Sequence, residues 1–369
     1  MTGPPRDRLV HVVVPGDIDD AAVPSGGNVY DRRVCRELAG TGWVVREIAA
    51  PGTWPRPESD ARTALARALD DVPDDEVVLL DGLVVCGVPE VVRPRAERLR
   101  LVVLVHLPLG DEVGLDAATA AELAAREGET LRAARAVVTT SQWAARRVRD
   151  VHGLDADRVE VATPGVDAAP LASGTDGAGR LLCVGSLTPT KGQDLLVEAL
   201  AAMGDPGVPD WTCELVGSLR RHPAHVAAVQ LAVRRHGLSE RVRITGPRTG
   251  SELADSYAAA DLVVLPSRAE AFGMVLVEAL ARGIPVIATD VGGVPEALGR
   301  DRRGRIPGIL VPPGDPHALA DALRTWFVEP ALREELRGAA RSRRAELTGW
   351  EVTSRCLAAV LQRVRGMPA

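Results

Sequence analysis

The sequence predicts an α/β protein made of two doubly wound, Rossmann-like domains in series. Three observations carry this reading. At 369 residues the chain is too long for one such domain and comfortable for two. Aromatics are only 3% where hydrophobic residues reach 46%, so the cores are built from Val, Leu, Ala and Ile, as suits parallel strands covered by helices. Short apolar runs alternate with amphipathic or Ala/Arg-rich stretches from end to end, the pattern of right-handed βαβ units.

In the first half, strands are expected at 9–14, 44–48, 77–80, 101–106, 136–140 and 159–161, with helices at 28–39, 61–69, 117–134 and 142–151. The stretch 167–179, rich in Ala, Ser, Gly, Pro and Asp, interrupts the rhythm and reads as a linker. The rhythm then restarts. Strands are expected at 181–184, 212–216, 242–245, 262–265, 285–288 and 309–311, and helices at 192–203, 223–236, 252–259, 273–281, 317–327 and 331–346. A last amphipathic helix spans 351–364. The domains are accordingly placed at 1–168 and 177–349, with a closing helical segment at 350–366. Paired domains of this kind bind ligands at the carboxyl ends of their strands, facing a central cleft.

Composition excludes several classes. The net charge is −6 and no stretch has sustained basic density, which argues against a nucleic-acid partner. The polar start lacks the basic and long apolar regions of a secretory signal, and no run approaches the ~20 apolar residues of a membrane span. The cluster Arg93, Arg95, Arg98 and Arg100 is interleaved with Pro94 and Glu97 and lacks flanking exposed aromatics, so it reads as a solvated face, not a membrane-binding patch. Five scattered cysteines fit reduced structural thiols, and the expected location is cytoplasmic. Two D-x-D triplets, at 17–19 and 155–157, read as solvated loop acids, and no metal is expected.

Of the 44 basic residues, Lys191 is the only lysine. It survives at a helix mouth, in the loop Gly185-Ser186-Leu187-Thr188-Pro189-Thr190-Lys191-Gly192, where backbone amides already favour an anion. The reading is a phosphate-binding ammonium; the alternative is a solvated lysine. A second loop carries Arg268 and Glu270 and opens near Phe272–Gly273 into a helix that is apolar from Met274 to Ala281 except for Glu278. An enclosed carboxylate there demands hydrogen-bond donors, which a ribose diol supplies and a core arginine would supply equally. Glu270 is placed to accept from sugar hydroxyls, unless it is simply wetted. The amides of Gly273 and Met274 suit a diphosphate.

The E-x7-E spacing of Glu270 and Glu278 closely resembles the signature of the family-4 retaining glycosyltransferases. Further stretches resemble the same family in the expected order: 140–141, 164–167, 184–192, 241–246, 290–296 and 308–315. The resemblance implies the GT-B architecture, with the closing helix crossing back to the first domain. It implies transfer of a hexose-type sugar from a nucleoside-diphosphate donor, preferably a UDP-sugar, to the hydroxyl of a small-molecule or glycan acceptor. Configuration would be retained, and neither metal nor cofactor is needed. Carried over by residue, Lys191 binds the donor phosphates, Glu278 the ribose and Glu270 the sugar hydroxyls. Phe272, Gly273 and Met274 supply backbone around phosphates and sugar. Gly26 and Gly27 match a Gly-rich element near the phosphates, and His106 a histidine at the reacting centre.

One departure stands out. Ser186 occupies the place where the family usually has an Arg. Arg220, Arg221 and Arg268 are the candidates to replace its charge, Arg268 being nearest the motif. The Arg/Ala-rich composition points to a bacterium with a GC-rich genome. Two other readings share the architecture: a sugar-nucleotide 2-epimerase or hydrolase, and a nucleotide-sugar-binding protein without chemistry.

Overall fold

The computed structural model describes residues 8–175, 178–204 and 208–367. The polar lead at 1–7 and positions 176–177 of the expected linker lie outside the described residues. The chain divides into two compact units. Unit 1 comprises Met1–Asp19, Gly26–Gly165 and Gly349–Ala369; unit 2 comprises Asp20–Ser25 and Val166–Thr348.

Unit 1 is a six-stranded, all-parallel sheet in the order β2-β1-β3-β4-β5-β6. Its elements run β1 (Leu9–Pro15), α1 (Gly26–Glu37), β2 (Val44–Ala50), α2 (Ser59–Asp70), β3 (Val77–Asp81), α3 (Gly82–Val85), α4 (Pro89–Val92), β4 (Arg100–Val105), α5 (Ala117–Ala133), β5 (Ala136–Thr139), α6 (Gln142–His152) and β6 (Val159–Val161). The central strands β3 and β5 are buried at every position, which is why they read as continuous apolar runs. Edge strand β2 is largely open to solvent. Asp116 and Ser141 cap α5 and α6 by accepting the Thr119 and Ala144 amides, and α6 stops at Gly153, which is left-handed at φ 63°.

Unit 2 repeats the scheme in the order β12-β11-β10-β7-β8-β9, again all parallel. It contains β7 (Arg180–Val184), α7 (Gln193–Ala202), β8 (Thr212–Val216), α8 (Pro223–Arg235), β9 (Val242–Gly246), α9 (Gly250–Ala258), β10 (Leu262–Leu265), α10 (Met274–Ala281), β11 (Val286–Thr289), α11 (Val294–Leu298), β12 (Gly308–Val311), α12 (Pro316–Val328) and α13 (Pro330–Arg343). Trp326 of α12 is fully buried and donates its indole N–H to the Ala178 carbonyl at 3.0 Å.

The closing helix α14 (Trp350–Arg365) belongs to unit 1, as expected for a chain that crosses back. Its buried residues Trp350, Thr353, Ser354, Leu357, Val360, Leu361 and Val364 form one stripe at helical spacing. The stripe packs on α1 and the sheet, with Trp350 edge-on to Tyr30 at 5.7 Å. Arg100 donates to the carbonyls of Val364 and Met367 at the end of this helix.

That last contact corrects the reading of the arginine cluster as a solvated face. Arg95 grips both oxygens of Asp70, at 2.9 and 2.6 Å, and Arg98 donates to the carbonyls of Leu69 and Val72. Of the four, Arg93 is exposed, and it pairs with Glu129 at 2.6 Å. The guanidinium forks cap helix and loop carbonyls that the sheet leaves unpaired. Among the described residues, no helix is long and apolar enough to cross a membrane.

All five cysteines are free thiols. Cys35, Cys86, Cys183 and Cys213 are buried, and burial pushes each thiol up, Cys35 and Cys183 to about 12; Cys356 on α14 is exposed.

Candidate functional site

In unit 2 the strand order reverses direction between β7 and β10, the switch point at which open α/β sheets hold ligands. The loops after β7, β10 and β11 are therefore neighbours along one edge, and they carry the residues that the sequence singled out.

After β7, Pro189–Lys191 form a single 3-10 turn and α7 begins behind Gly192. Gly192 is left-handed at φ 67°, and a Cβ there would lie 2.1 Å from the Pro266 carbonyl oxygen. Only glycine lets the two loops approach so closely. The Arg268 amide then bonds the Thr190 carbonyl at 2.8 Å. This clamp brings Lys191 Nζ to 2.6 Å from Glu270 Oε2, with 31% of the lysine side chain and 13% of the glutamate exposed. Ser267 Oγ reaches the same carboxylate oxygen at 3.3 Å. The loop after β11 closes over Glu270 from the other side. The Gly293 amide bonds the Glu270 carbonyl at 2.9 Å, and a Cβ on Gly292 would stand 1.8 Å from that oxygen.

Glu278 lies one turn into α10. Its apolar run predicts an enclosed helix. Instead Met274, Val275 and Glu278 are half-buried, whereas Leu276, Val277, Ala279, Leu280 and Ala281 are buried. An all-apolar helix gives no periodic signal for its open side, and the open side is the one carrying Glu278. Tyr257 of α9 donates its hydroxyl to Glu278 Oε2 at 2.7 Å. Arg282 stacks over the Tyr257 ring at 4.6 Å and bonds the Glu278 carbonyl, not its carboxylate. Burial holds the Glu278 carboxyl above its ordinary range, opposed by the Tyr257 hydrogen bond and by Arg282. Tyr257 was missed by sequence reading, since nothing local marks a tyrosine 21 positions upstream as the acid's partner.

Gly273 caps α10 in a left-handed conformation at φ 99°, and Phe272 is buried. Arg268 is committed elsewhere. It grips Asp194 with both terminal nitrogens, at 2.9 and 2.6 Å, and donates to the Pro189 carbonyl. Ser186 donates to the Pro24 carbonyl at 3.2 Å, and Arg221 to the Val23 carbonyl at 2.9 Å, both within unit 2. Arg220 is exposed on the adjoining loop. Gln193, buried behind the loop, donates to the carbonyls of Gly185 and Ser186 and fixes the loop's course; sequence reading did not single it out.

The remaining predicted residues lie in unit 1, whose own switch falls between β1 and β3. Gly26 and Gly27 open α1 after β1, and His106 follows β4. A Cβ on Gly27 would lie 3.2 Å from Cδ2 of His106, so the glycine clears room for the imidazole. His106 Nε2 is 2.8 Å from Asp31 Oδ1. Among the described residues Asp31, Asp81 and His106 place potential ligand atoms within 4.8 Å of one another, close enough for one cation or one shared proton.

The chain is similar to known proteins along most of its length. The sequence model of the family described as "Glycosyl transferases group 1" matches residues 174–343, nearly all of unit 2. A D-inositol 3-phosphate glycosyltransferase of Jonesia denitrificans is 32% identical over 256 residues, covering 65% of this chain and 59% of the relative. The chain thus spans about three fifths of the length of such curated relatives. Among solved structures, sucrose-phosphate synthase from Thermosynechococcus elongatus aligns with a TM-score of 0.77 and 22% identity, covering 96% of this chain and 98% of that one. Anabaena Alr3699/HepE, crystallised with UDP-glucose, aligns with a TM-score of 0.73 and 19% identity, over 96% and 99%. These two establish the fold, that of GT-B glycosyltransferases. Residues 174–343, which carry the glutamate pair and the lysine loop, thus resemble the group 1 glycosyl transferases.

Proposed function

We propose that the protein transfers a hexose-type sugar from a nucleoside-diphosphate donor, preferably a UDP-sugar, to an acceptor hydroxyl with retention of configuration. One observation carries the reading: Lys191 pairs with Glu270 at the switch point of unit 2, on the loop that leads into α10, whose half-buried side bears Glu278. The relatives' name and the UDP-glucose in a neighbour of like fold support it.

Cleaving a sugar–diphosphate bond leaves charge on the diphosphate, and stabilising that charge is the largest catalytic contribution such a site makes. In this proposal Lys191 leaves Glu270 for the diphosphate, joined by the amides of Gly273 and Met274, so no divalent cation is required. Glu270, released, accepts from sugar hydroxyls. Glu278 keeps the Tyr257 bond on one oxygen and receives the ribose diol with its remaining lone pairs. Ser186 engages Pro24, and Arg268 is held by Asp194, so neither supplies the family's usual arginine charge. Exposed Arg220 is the remaining candidate. His106 is assigned contact with the donor sugar at the reacting carbon, and the departing phosphate takes the acceptor's proton.

The test is a thermal-shift and calorimetric screen with UDP, GDP, ADP and their hexoses, followed by product analysis with and without acceptor. A donor should raise the melting temperature by linkage. Absence of binding by every nucleotide overturns the proposal. Turnover of the donor without acceptor to an epimer identifies the protein as an epimerase instead.

A further inference from the structure

Three side chains meet at the switch point of unit 1: Asp31 from α1, Asp81 at the end of β3 and His106 after β4. Asp31 and Asp81 are each 3% exposed, and the His106 side chain 20%. His106 Nε2 lies 2.8 Å from Asp31 Oδ1, and Asp81 Oδ1 accepts the Leu83 amide at 2.6 Å as the cap of α3. With both acids ionised, the arrangement is unsatisfied. Asp31 Oδ2 is then buried with no hydrogen-bond donor, and two enclosed negative charges stand beside each other.

One proton removes both faults. A protonated Asp81 donates to Asp31, and the Asp31 carboxylate accepts from Asp81 on one side and from the imidazole on the other. Desolvation favours this state. It pushes Asp31 up to about 7 and Asp81 well above the carboxylate range, and it draws His106 down, keeping the ring neutral near pH 8. Of the other titratable groups here, Arg32 favours the Asp31 carboxylate, while burial raises Tyr30, Cys35 and Cys86 and keeps them neutral. A neutral imidazole that donates Nε2–H has a bare Nδ1. The ring is also held in place. Gly27 sits against its Cδ2 edge, and Tyr30 packs edge-on at 5.3 Å while bonding the Ala162 carbonyl.

The geometry points to Asp31 and Asp81 as positioning residues that share one proton and lock His106 in the tautomer whose Nδ1 is an acceptor. The functional consequence rests on the transferase reading. His106 would then accept a hydrogen bond from a donor-sugar hydroxyl and not donate one. The lock itself stands without that reading.

The test uses the full chain with ¹⁵N-labelled histidine at pH 8 in EDTA, and long-range ¹H–¹⁵N spectra with His106 assigned by its loss in His106→Asn. Wild type should show a protonated Nε2 and a bare Nδ1. Asp31→Leu, which leaves Nε2–H without an acceptor at that position, should break the single tautomer, lower kcat on the order of 100-fold, leave the donor KM nearly unmoved and shift the pH profile. Asp81→Asn should keep the wild-type His106 signal, because its amide donates as the protonated acid does and its oxygen still accepts from Leu83. That second variant keeps the idea testable where Asp31→Leu fails to fold. A proton on Nδ1 in wild type, an unchanged tautomer in Asp31→Leu, or a broken one in Asp81→Asn overturns the proposal. So does a His106 signal moved by one equivalent of zinc, which would make the trio a cation site. Failure to transfer any sugar would overturn the functional reading and leave the tautomer result standing.

Discussion

Replacing Lys191 by alanine separates two roles that one ammonium holds in this site. In the free protein its partner is Glu270, 2.6 Å away, with both side chains partly shielded from water. Exposed pairs contribute about 0.2–1 kcal/mol, and breaking an enclosed one costs about 3–5 kcal/mol. Partial burial puts the expected loss of stability at about 1–2 kcal/mol, mostly from a stranded Glu270 carboxylate. Turnover should suffer more. In the proposed complex, taking the Lys191 ammonium away from the leaving diphosphate should cost about 2–4 kcal/mol of transition-state stabilisation, roughly 30- to 1,000-fold in rate. A double-mutant cycle divides the two losses. Glu270→Ala on the Lys191→Ala background removes the stranded charge and should restore melting temperature while leaving turnover depressed. The assay pairs urea melts with steady-state release of nucleoside diphosphate. Turnover in Lys191→Ala within about threefold of wild type would refute the reasoning, because the oxyanion analogy allows no smaller effect.

Glu278→Ala should weaken nucleoside-diphosphate binding by about 2–3 kcal/mol, the worth of charge-assisted bonds to a ribose; calorimetry reads this, and Tyr257→Phe should cost about 1 kcal/mol or less by the same assay. Arg268→Ala should lower stability by about 1–3 kcal/mol through the orphaned Asp194 and leave nucleotide affinity unmoved, since its guanidinium is already bonded within the protein. Stability should fall as pH rises from about 4 to about 7. Burial raises Asp31 to about 7, so across that window the folded chain holds more protons than the unfolded one. Asp31 contributes on the order of a few kcal/mol to the change, and Asp31→Asn should lessen the slope while the raised Asp81 keeps part of it, as urea melts at the two ends of the window would report.

The fold was legible because parallel strands buried on both faces announce themselves as apolar runs. Among the described residues, all twelve strands lie within a residue or two of their expected places. The short helices α3, α4 and α11, of four or five residues, were not, since a single turn has no periodicity to detect. In the candidate site, Lys191, Glu270 and Glu278 were visible as charges set in apolar or glycine-rich surroundings. Their partners were not. The Lys191–Glu270 pair spans 79 positions, and its closeness depends on glycines whose missing Cβ atoms let backbones touch. The arginines misread as a wetted face show the same limit. A guanidinium that bonds carbonyls from a distant helix looks, in sequence, like any surface charge.

The uneven placement of the five thiols has a practical side. Four are sealed in the cores with their protons held tightly, and thiol reagents act on the thiolate. A maleimide dye offered to the native chain therefore meets a single accessible sulfur, at Cys356. A fluorophore or spin label can be fixed to α14 without first engineering the other cysteines away.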